Sequence, residues 1–168
     1  MIADYRNAGL TAAALAGVLL SVALVLEHGF YMDPCPLCLT QRVFFILAGL
    51  CALLSLLPQR PSKLAPVGTV LMCAGGIWFA VRQLYLYTLP ADQIPACTAP
   101  INRLIEYAPL SELLTAMTMG TGNCAEASFP IFGMELPGIS IPLGSLVGFL
   151  LILWLVSRQY RSLATAAT

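Results

Sequence analysis

Two pairs of cysteines carry the reactive chemistry that this sequence offers. Cys35 and Cys38 form a Cys-x-x-Cys motif, whose two sulfur atoms are close enough to form and break a disulfide reversibly. The motif lies where a short loop enters a long apolar run, so we expect it at the N-terminus of a helix, whose dipole favours a thiolate. Cys97 and Cys124 lie far apart in a later, longer loop. The sequence therefore indicates thiol–disulfide redox chemistry.

Spacing alone leaves two interpretations of Cys97 and Cys124. In the first, they form an inert structural disulfide, which removes loop entropy worth roughly 3–4 kcal/mol in the simple chain model. In the second, they form a redox disulfide, which exchanges with a substrate thiol and then with the Cys35–Cys38 pair. The glycine-rich sequence around Cys124 would help the two pairs to reach each other.

Arg42 is the basic residue nearest to the Cys-x-x-Cys motif in the sequence. It follows Cys38 by about one helical turn, so the two side chains share a helix face and the guanidinium favours a thiolate at Cys38. One interpretation of Arg42 is an interfacial anchor whose charged end reaches the polar surface. The other is a contact with an anionic or polarised partner, such as a quinone carbonyl oxygen.

A zinc site is the main alternative use of four cysteines, and the spacing argues against it. Zinc sites commonly contain two close pairs of ligands, whereas one pair here is widely split. The single histidine, His28, suits an interfacial position, and an oxidising compartment disfavours free thiolate ligands. Cys51 and Cys73 lie inside apolar runs, where a lone cysteine is usually a small packing residue. We therefore predict no metal site.

The composition indicates which elements position these cysteines. Of the 168 residues, 59% are hydrophobic and only 10% are charged, which excludes a water-soluble globule. Balanced charges without a basic run exclude a nucleic-acid binder. The charges separate four uncharged intervals at 7–26, 43–59, 64–81 and 136–157, each near the length that crosses a bilayer. From them we predict membrane spans at roughly 9–27, 38–57, 65–87 and 140–157. We predict an all-α membrane protein: one integral-membrane domain, 1–168, built as a four-transmembrane-helix bundle.

The basic residues predict the orientation of the bundle. The positive-inside rule places both termini in the cytoplasm, together with Arg6, Arg60, Lys63, Arg158 and Arg161. Loops at roughly 28–37 and 88–139 then face outward, and all four cysteines lie on this side: three in the loops and Cys38 at the outer end of the second span. Arg82 with Trp78, Tyr85 and Tyr87 indicates an interfacial belt at the end of the third span, although Arg82 could also face a ligand cavity.

The long outer loop contains two apolar sets with helical spacing, separated by Pro109. The sets are Ile101, Leu104, Ile105 and Ala108, followed by Leu110, Leu113, Leu114 and Met117. They predict two short amphipathic helices, which either lie along the membrane surface or pack onto the ends of the spans. The part of the loop after Cys124 is rich in glycine and proline, and we predict irregular chain there.

Five motifs follow one another along the chain: Cys35-Pro-Leu-Cys38 with Gln41-Arg42, Val81-Arg-Gln-Leu-Tyr-Leu, Leu89-Pro-Ala-Asp-Gln-Ile-Pro-Ala-Cys97, Gly122-Asn-Cys124-Ala-Glu and Phe132-Gly-Met-Glu-Leu-Pro137. This ordered set resembles the DsbB family of bacterial disulfide bond formation proteins, over nearly the whole chain. Each motif is moderately specific, and their combination in this order is strongly so. The chain departs from many relatives in having Phe129-Pro130 where they carry a tryptophan. It also has Tyr87-Thr88 where some carry a quinone-site histidine.

The resemblance implies a thiol:quinone oxidoreductase of the bacterial inner membrane, with both cysteine pairs on the periplasmic side. A Cys97–Cys124 disulfide would oxidise a DsbA-like periplasmic thiol oxidase, whose thiolate attacks Cys97. Cys124 would then react with the Cys35–Cys38 disulfide at Cys35. Cys38, near Arg42, would face ubiquinone or menaquinone drawn from the membrane pool.

Two other functions remain open from the sequence. A structural or sensory tetraspan protein would use the disulfide only to staple its outer loop. A vitamin K epoxide reductase-like quinone reductase also has four helices and a Cys-x-x-Cys motif. In that family, however, the motif lies late in the bundle, whereas here it opens the second span.

Overall fold

The apolar intervals form long α-helices in the computed structural model, which describes residues 2–30, 33–56, 64–90, 92–99, 101–125, 128–131 and 134–166. The long helices are α1 (Ile2–Gly29), α2 (Pro36–Leu54), α3 (Leu64–Thr88) and α6 (Ser140–Ala166). Within this described part of the chain, four segments are long and apolar enough to cross a membrane: Arg6–Gly29, Pro36–Leu54, Ala65–Thr88 and Ser140–Arg158. The predicted helical membrane fold class is confirmed.

The four long helices form a bundle in which α2 and α6 each pack against both α1 and α3. Its core stacks the rings of Phe45 and Phe149, whose centroids are 3.8 Å apart and whose planes differ by 6°. Small residues, such as the buried Ala16 and Ala48, let the helices approach closely. Gly76 has the same effect, because a Cβ there would overlap the ring of Phe149. Apolar side chains on the outer faces remain exposed, as expected for surfaces in contact with lipid.

The connection between α3 and α6 contains both predicted short helices. They are α4 (Ile101–Tyr107) and α5 (Leu110–Met119), and Pro109 is the N-cap of α5. α5 packs on α2, where the Thr40 hydroxyl donates to the carbonyl oxygen of Met117 at 2.9 Å. Leu104 of the first set is buried, and Leu113 and Met117 of the second set are half-buried. Ile105, Leu110 and Leu114 are exposed. Part of each apolar set therefore packs inward, and contact of the exposed part with a membrane surface stays a prediction.

The chain after Cys124 differs from the prediction of irregular structure. Strands β1 (Ser128–Ile131) and β2 (Met134–Pro137) pair antiparallel, with Ser128 opposite Pro137. Prolines at 130 and 137 are compatible with this hairpin, because each strand has one edge that needs no donor for the ladder. The abundance of glycine and proline therefore did not indicate irregular structure in this segment.

Gly120 turns the chain from the end of α5 back toward the start of α2. Its φ of 81° lies in the left-handed region that favours glycine. A Cβ at this position would lie 2.7 Å from side-chain carbons of both Leu37 and Leu86, so the turn is also tightly packed. The turn delivers a short 3-10 turn, Gly122–Cys124, to the first turn of α2.

Candidate redox site

The Cys-x-x-Cys motif begins α2, as its sequence position predicts. Cys35 is the N-cap, with extended backbone at φ −71° and ψ 157°, and Pro36 occupies the first helical position, where no N–H is needed. The sulfur of Cys35 accepts a hydrogen bond from the backbone N–H of Cys38 at 3.3 Å. The sulfur atoms of Cys35 and Cys38 are 2.7 Å apart. The cap thus presents both sulfurs side by side at the helix N-terminus, where a thiolate is stabilised.

Two buried glutamines support the sulfurs from inside the bundle. Gln83 on α3 directs its Nε2 to the sulfurs of Cys35 and Cys38, at 3.5 Å and 3.4 Å. Gln41 on α2 donates to Gln83 Oε1 at 2.8 Å, which fixes the orientation of the Gln83 amide. Neither glutamine was singled out for this role from the sequence. The available signal was a polar amide inside an apolar span, where such groups need internal partners.

Cys124 completes a cluster of three neighbouring sulfurs. It is fully buried, in contact with the small apolar group that contains Cys35, Leu37 and Leu86. A hydrogen bond from the side chain of Cys35 lowers the pKa of Cys124 to about 6, aided by bonds from Thr121 and from the Leu37 backbone against the opposing effect of burial. The bonds to Cys124 and Cys38, with burial, raise the pKa of Cys35 well above the ordinary thiol value. Of Cys35 and Cys124, Cys124 is therefore the one that is a thiolate near neutral pH.

Cys97 lies outside the three-sulfur cluster. Its side chain is exposed, and all six cysteines are free thiols in the structure. Its sulfur nevertheless lies close to the Gly122–Cys124 turn, since a Cβ on Gly122 would be 2.8 Å away from it. The structure therefore brings Cys35, Cys38 and Cys124 together and leaves Cys97 at the surface beside them, an arrangement that fits redox disulfides.

A cavity of about 290 Å³ opens next to Cys38, between α1, α2, α3 and α6. Its walls are mainly apolar, from residues such as Leu20, Phe45 and Ile141. Two buried polar atoms of cavity-lining residues have no hydrogen-bond partner, Gln41 Oε1 and the Tyr87 hydroxyl. The cavity can hold a flat apolar molecule whose polar head lies beside a reactive sulfur.

Arg42 lies on the wall of this cavity and is held by α1. Its guanidinium forms an ion pair with Glu27 and donates to the carbonyl oxygen of Ala23 at 3.3 Å. The side chains of Arg42 and Glu27 are only 18% and 26% exposed. The guanidinium is thus positioned toward the bundle. Its ion-pair partner Glu27 was not identified from the sequence.

Several other predicted positions are settled by the structure. Arg82 does not line the cavity: its Nε donates to the carbonyl oxygen of Met119 at 3.2 Å and its guanidinium lies 5.6 Å from the ring centre of Tyr85. Trp78 and Tyr85 are exposed, as an interfacial belt requires. Tyr87 does not belong to this belt, because its hydroxyl is buried and its side chain lines the cavity.

The structure also places the residues for which the sequence predicted an interfacial or packing position and no chemistry. His28 is exposed at the end of α1, where its Nδ1 lies 3.1 Å from the carbonyl oxygen of Leu24. Cys73 is fully buried in the bundle core, and Cys51 lies close to Gly68, which fits small packing residues.

The sequence is similar to known proteins over most of its length. A sequence model of the family described as disulfide bond formation protein DsbB matches residues 5–156. Disulfide bond formation protein B of Marinobacter nauticus is 40% identical over 155 residues, which cover 90% of this chain and 91% of that protein. The protein of the same name in Hahella chejuensis is 41% identical over 128 residues, covering 74% and 77%. Disulfide bond formation protein B 1 of Pseudomonas aeruginosa is 34% identical over 143 residues, covering 83% and 88%. No solved structure matches the chain.

Proposed function

Because this chain belongs to the DsbB family of disulfide bond formation proteins, we propose that it is a membrane thiol:quinone oxidoreductase that reoxidises a DsbA-like thiol oxidase. The family and the four apolar helices make it a multi-pass membrane protein with a role in disulfide formation. The observation that carries the finer proposal is the contact between Cys124 and Cys35. It joins a cysteine of the outer loop to the pair at the start of α2.

The outer half of the reaction takes two electrons from the carrier. A thiolate of the reduced carrier attacks Cys97 of a Cys97–Cys124 disulfide, and Cys124 leaves as a thiolate. The second carrier thiol then attacks the carrier sulfur of this mixed disulfide, which releases the oxidised carrier and leaves Cys97 reduced. Exposure of Cys97 supports its role as the residue attacked, and the backbone hydrogen bonds that Cys124 receives from Thr121 and Leu37 favour its departure as a thiolate.

The inner half passes the same two electrons to Cys35 and Cys38. The Cys124 thiolate attacks Cys35 of the Cys35–Cys38 disulfide, and Cys38 leaves as a thiolate. Cys97 then attacks Cys124, which restores the outer disulfide and frees Cys35. The Gln83 amide, within hydrogen-bonding distance of both sulfurs of the inner pair, stabilises the charge on the departing sulfur.

The cavity beside Cys38 fits a quinone as the electron acceptor. A quinone supplies a two-electron, two-proton sink, because its reduction to the quinol consumes the electrons and protons of one dithiol. The apolar walls suit its ring and tail, while Arg42 and the unpartnered Tyr87 hydroxyl are donors suited to carbonyl oxygens. These residues support ubiquinone or menaquinone as the acceptor.

The proposed setting is the bacterial inner membrane, with both termini cytoplasmic and both cysteine pairs periplasmic. The distribution of basic residues supports this orientation, since Arg6, Arg158 and Arg161 lie at the end of the bundle opposite the cysteines. An oxidising periplasm also suits a reaction that produces disulfides.

Quinone reduction by the purified protein tests the proposal. The protein in detergent is given a reduced DsbA-like dithiol protein and a short-chain quinone, and the loss of quinone absorbance is followed. We expect turnover by the native chain and none by Cys38→Ser or Cys124→Ser, while a Cys51→Ser control should remain active. Absence of turnover by the folded native chain, with several quinones and both disulfides present, would favour a stapled tetraspan protein instead.

A further inference from the structure

Asn123 holds the chain around Cys97 in place with both ends of its side-chain amide. Its Oδ1 accepts a hydrogen bond from the backbone N–H of Thr98 at 3.2 Å, and its Nδ2 donates to the Thr98 carbonyl oxygen at 3.1 Å. On the other side of Cys97, the N–H of Gly122 donates to the carbonyl oxygen of Ala96 at 3.4 Å. Together these three bonds, here called the Asn123 clasp, tie the residues that flank Cys97 to the two residues before Cys124.

Gly122 lets the two segments approach closely enough for the clasp to form. A Cβ at this position would lie 2.6 Å from the Pro95 carbonyl oxygen, 2.8 Å from the Cys97 sulfur and 3.1 Å from the Cys97 nitrogen. Two of these atoms belong to the backbone, which cannot move aside without breaking the neighbouring hydrogen bonds. A larger residue at 122 would therefore separate Cys97 from the turn that carries Cys124.

We propose that Asn123 is a positioning residue that keeps Cys97 and Cys124 side by side whether or not a disulfide joins them. The clasp is complete while both cysteines are thiols and Cys124 contacts Cys35. The loop backbone therefore need not leave Cys97 for Cys124 to reach the inner pair. Held in this way, Cys97 has a high effective concentration at Cys124, which favours formation of their disulfide.

This proposal deepens the proposed function, but the equilibrium that it concerns needs neither carrier nor quinone. In a Cys35→Ser/Cys38→Ser background, the outer pair is equilibrated with glutathione. One glutathione disulfide is reduced to two thiols for each Cys97–Cys124 disulfide formed, and two electrons pass from the protein to glutathione. The disulfide fraction is measured by alkylating the remaining thiols and resolving the Cys97 and Cys124 peptides by mass spectrometry.

We expect Asn123→Ala to lower the equilibrium constant for this disulfide about tenfold, because the thiol form without the clasp samples more loop conformations and the effective concentration of Cys97 at Cys124 falls. Asn123→Asp, which keeps the acceptor for Thr98 N–H but loses the donor, should give an intermediate value. Gln93→Ala removes an exposed amide from the same loop and should leave the constant unchanged. In a separate Cys97→Ser/Cys124→Ser background, Asn123→Ala should not alter the equilibrium of the Cys35–Cys38 pair.

An unchanged constant in Asn123→Ala would overturn the proposal, as would an equal loss in both cysteine pairs, which would indicate general unfolding. Gly122→Ala gives a second test, because its Cβ should push Cys97 away and lower the same constant even with Asn123 present. These outcomes can be interpreted even if the protein fails to reduce quinone, because the glutathione equilibrium involves no quinone.

Discussion

The low pKa of Cys124 predicts how this thiol should respond when Cys35 is replaced. The largest stabilising effect on the Cys124 thiolate is the hydrogen bond from the side chain of Cys35. With a pKa of about 6, roughly nine-tenths of Cys124 is thiolate at pH 7, whereas an ordinary thiol at about 8.5 would be only about 3% thiolate. Cys35→Ala should therefore reduce the thiolate fraction at pH 7 about thirtyfold, and burial then acts without opposition from this bond.

Site-resolved alkylation of the reduced protein measures this change. The protein is treated with iodoacetamide across about pH 4.5 to 9.5, and the modified Cys124 peptide is quantified by mass spectrometry. The thiolate is the reactive form, so modification should be constant well above the pKa and decline as the pH falls through it. Because Cys124 is buried, rates will be low in every variant, and the midpoints rather than the rates are compared.

We expect a midpoint near pH 6 in the native protein and above about pH 8 in Cys35→Ala. Cys35→Ser is the matched control, because its hydroxyl can still donate a hydrogen bond, and its midpoint should stay close to the native one. Thermal unfolding in detergent verifies that the variants are folded. A native-like midpoint in folded Cys35→Ala would refute the assignment of the Cys35 bond as the main cause.

Three further predictions concern separate parts of the molecule. Arg42→Ala should raise the KM for quinone about tenfold or more with a smaller effect on kcat, in steady-state quinone reduction, and an unchanged KM would limit Arg42 to anchoring. Cys97→Ala should abolish oxidation of the carrier while quinone binding, measured by titration, persists; carrier oxidation at the native rate would remove Cys97 from the reaction. Gly76→Ala should destabilise the bundle by about 1–3 kcal/mol and lower its Tm, because the new Cβ overlaps the Phe149 ring. Gly17→Ala is the control and should not lower the Tm, because the space around its Cβ is open. Equal Tm values for the two variants would contradict the close packing of Gly76 against Phe149.

The helices were predictable because each one leaves a local pattern in the sequence. A bilayer requires long apolar intervals, and these gave α1, α2, α3 and α6. The apolar repeat on either side of Pro109 gave α4 and α5 in the same way. The start of α2 at the Cys-x-x-Cys motif was also local information, since Pro36 can occupy only the first turn of an undistorted helix.

The pairing between helices was not predictable, because it depends on how each helix is rotated about its axis. Nothing local in the sequence identifies Glu27, on another helix, as the ion-pair partner of Arg42. A glutamine inside an apolar span indicates only that its amide needs a partner, and nothing local in the sequence shows that Gln83 donates to the cysteine sulfurs. Cys124 meets Cys35 only because the chain turns back at Gly120, a long-range contact that spacing does not encode.

In the proposed relay, electrons cross between the two cysteine pairs through Cys35 and Cys124. A Cys38→Ser/Cys97→Ser variant removes the usual partner of each and leaves these two sulfurs in contact. After mild oxidation and alkylation, peptide mapping without reduction should show one intramolecular Cys35–Cys124 disulfide in most molecules. Free thiols at both positions in the folded variant, or disulfides only between separate molecules, would contradict the relay.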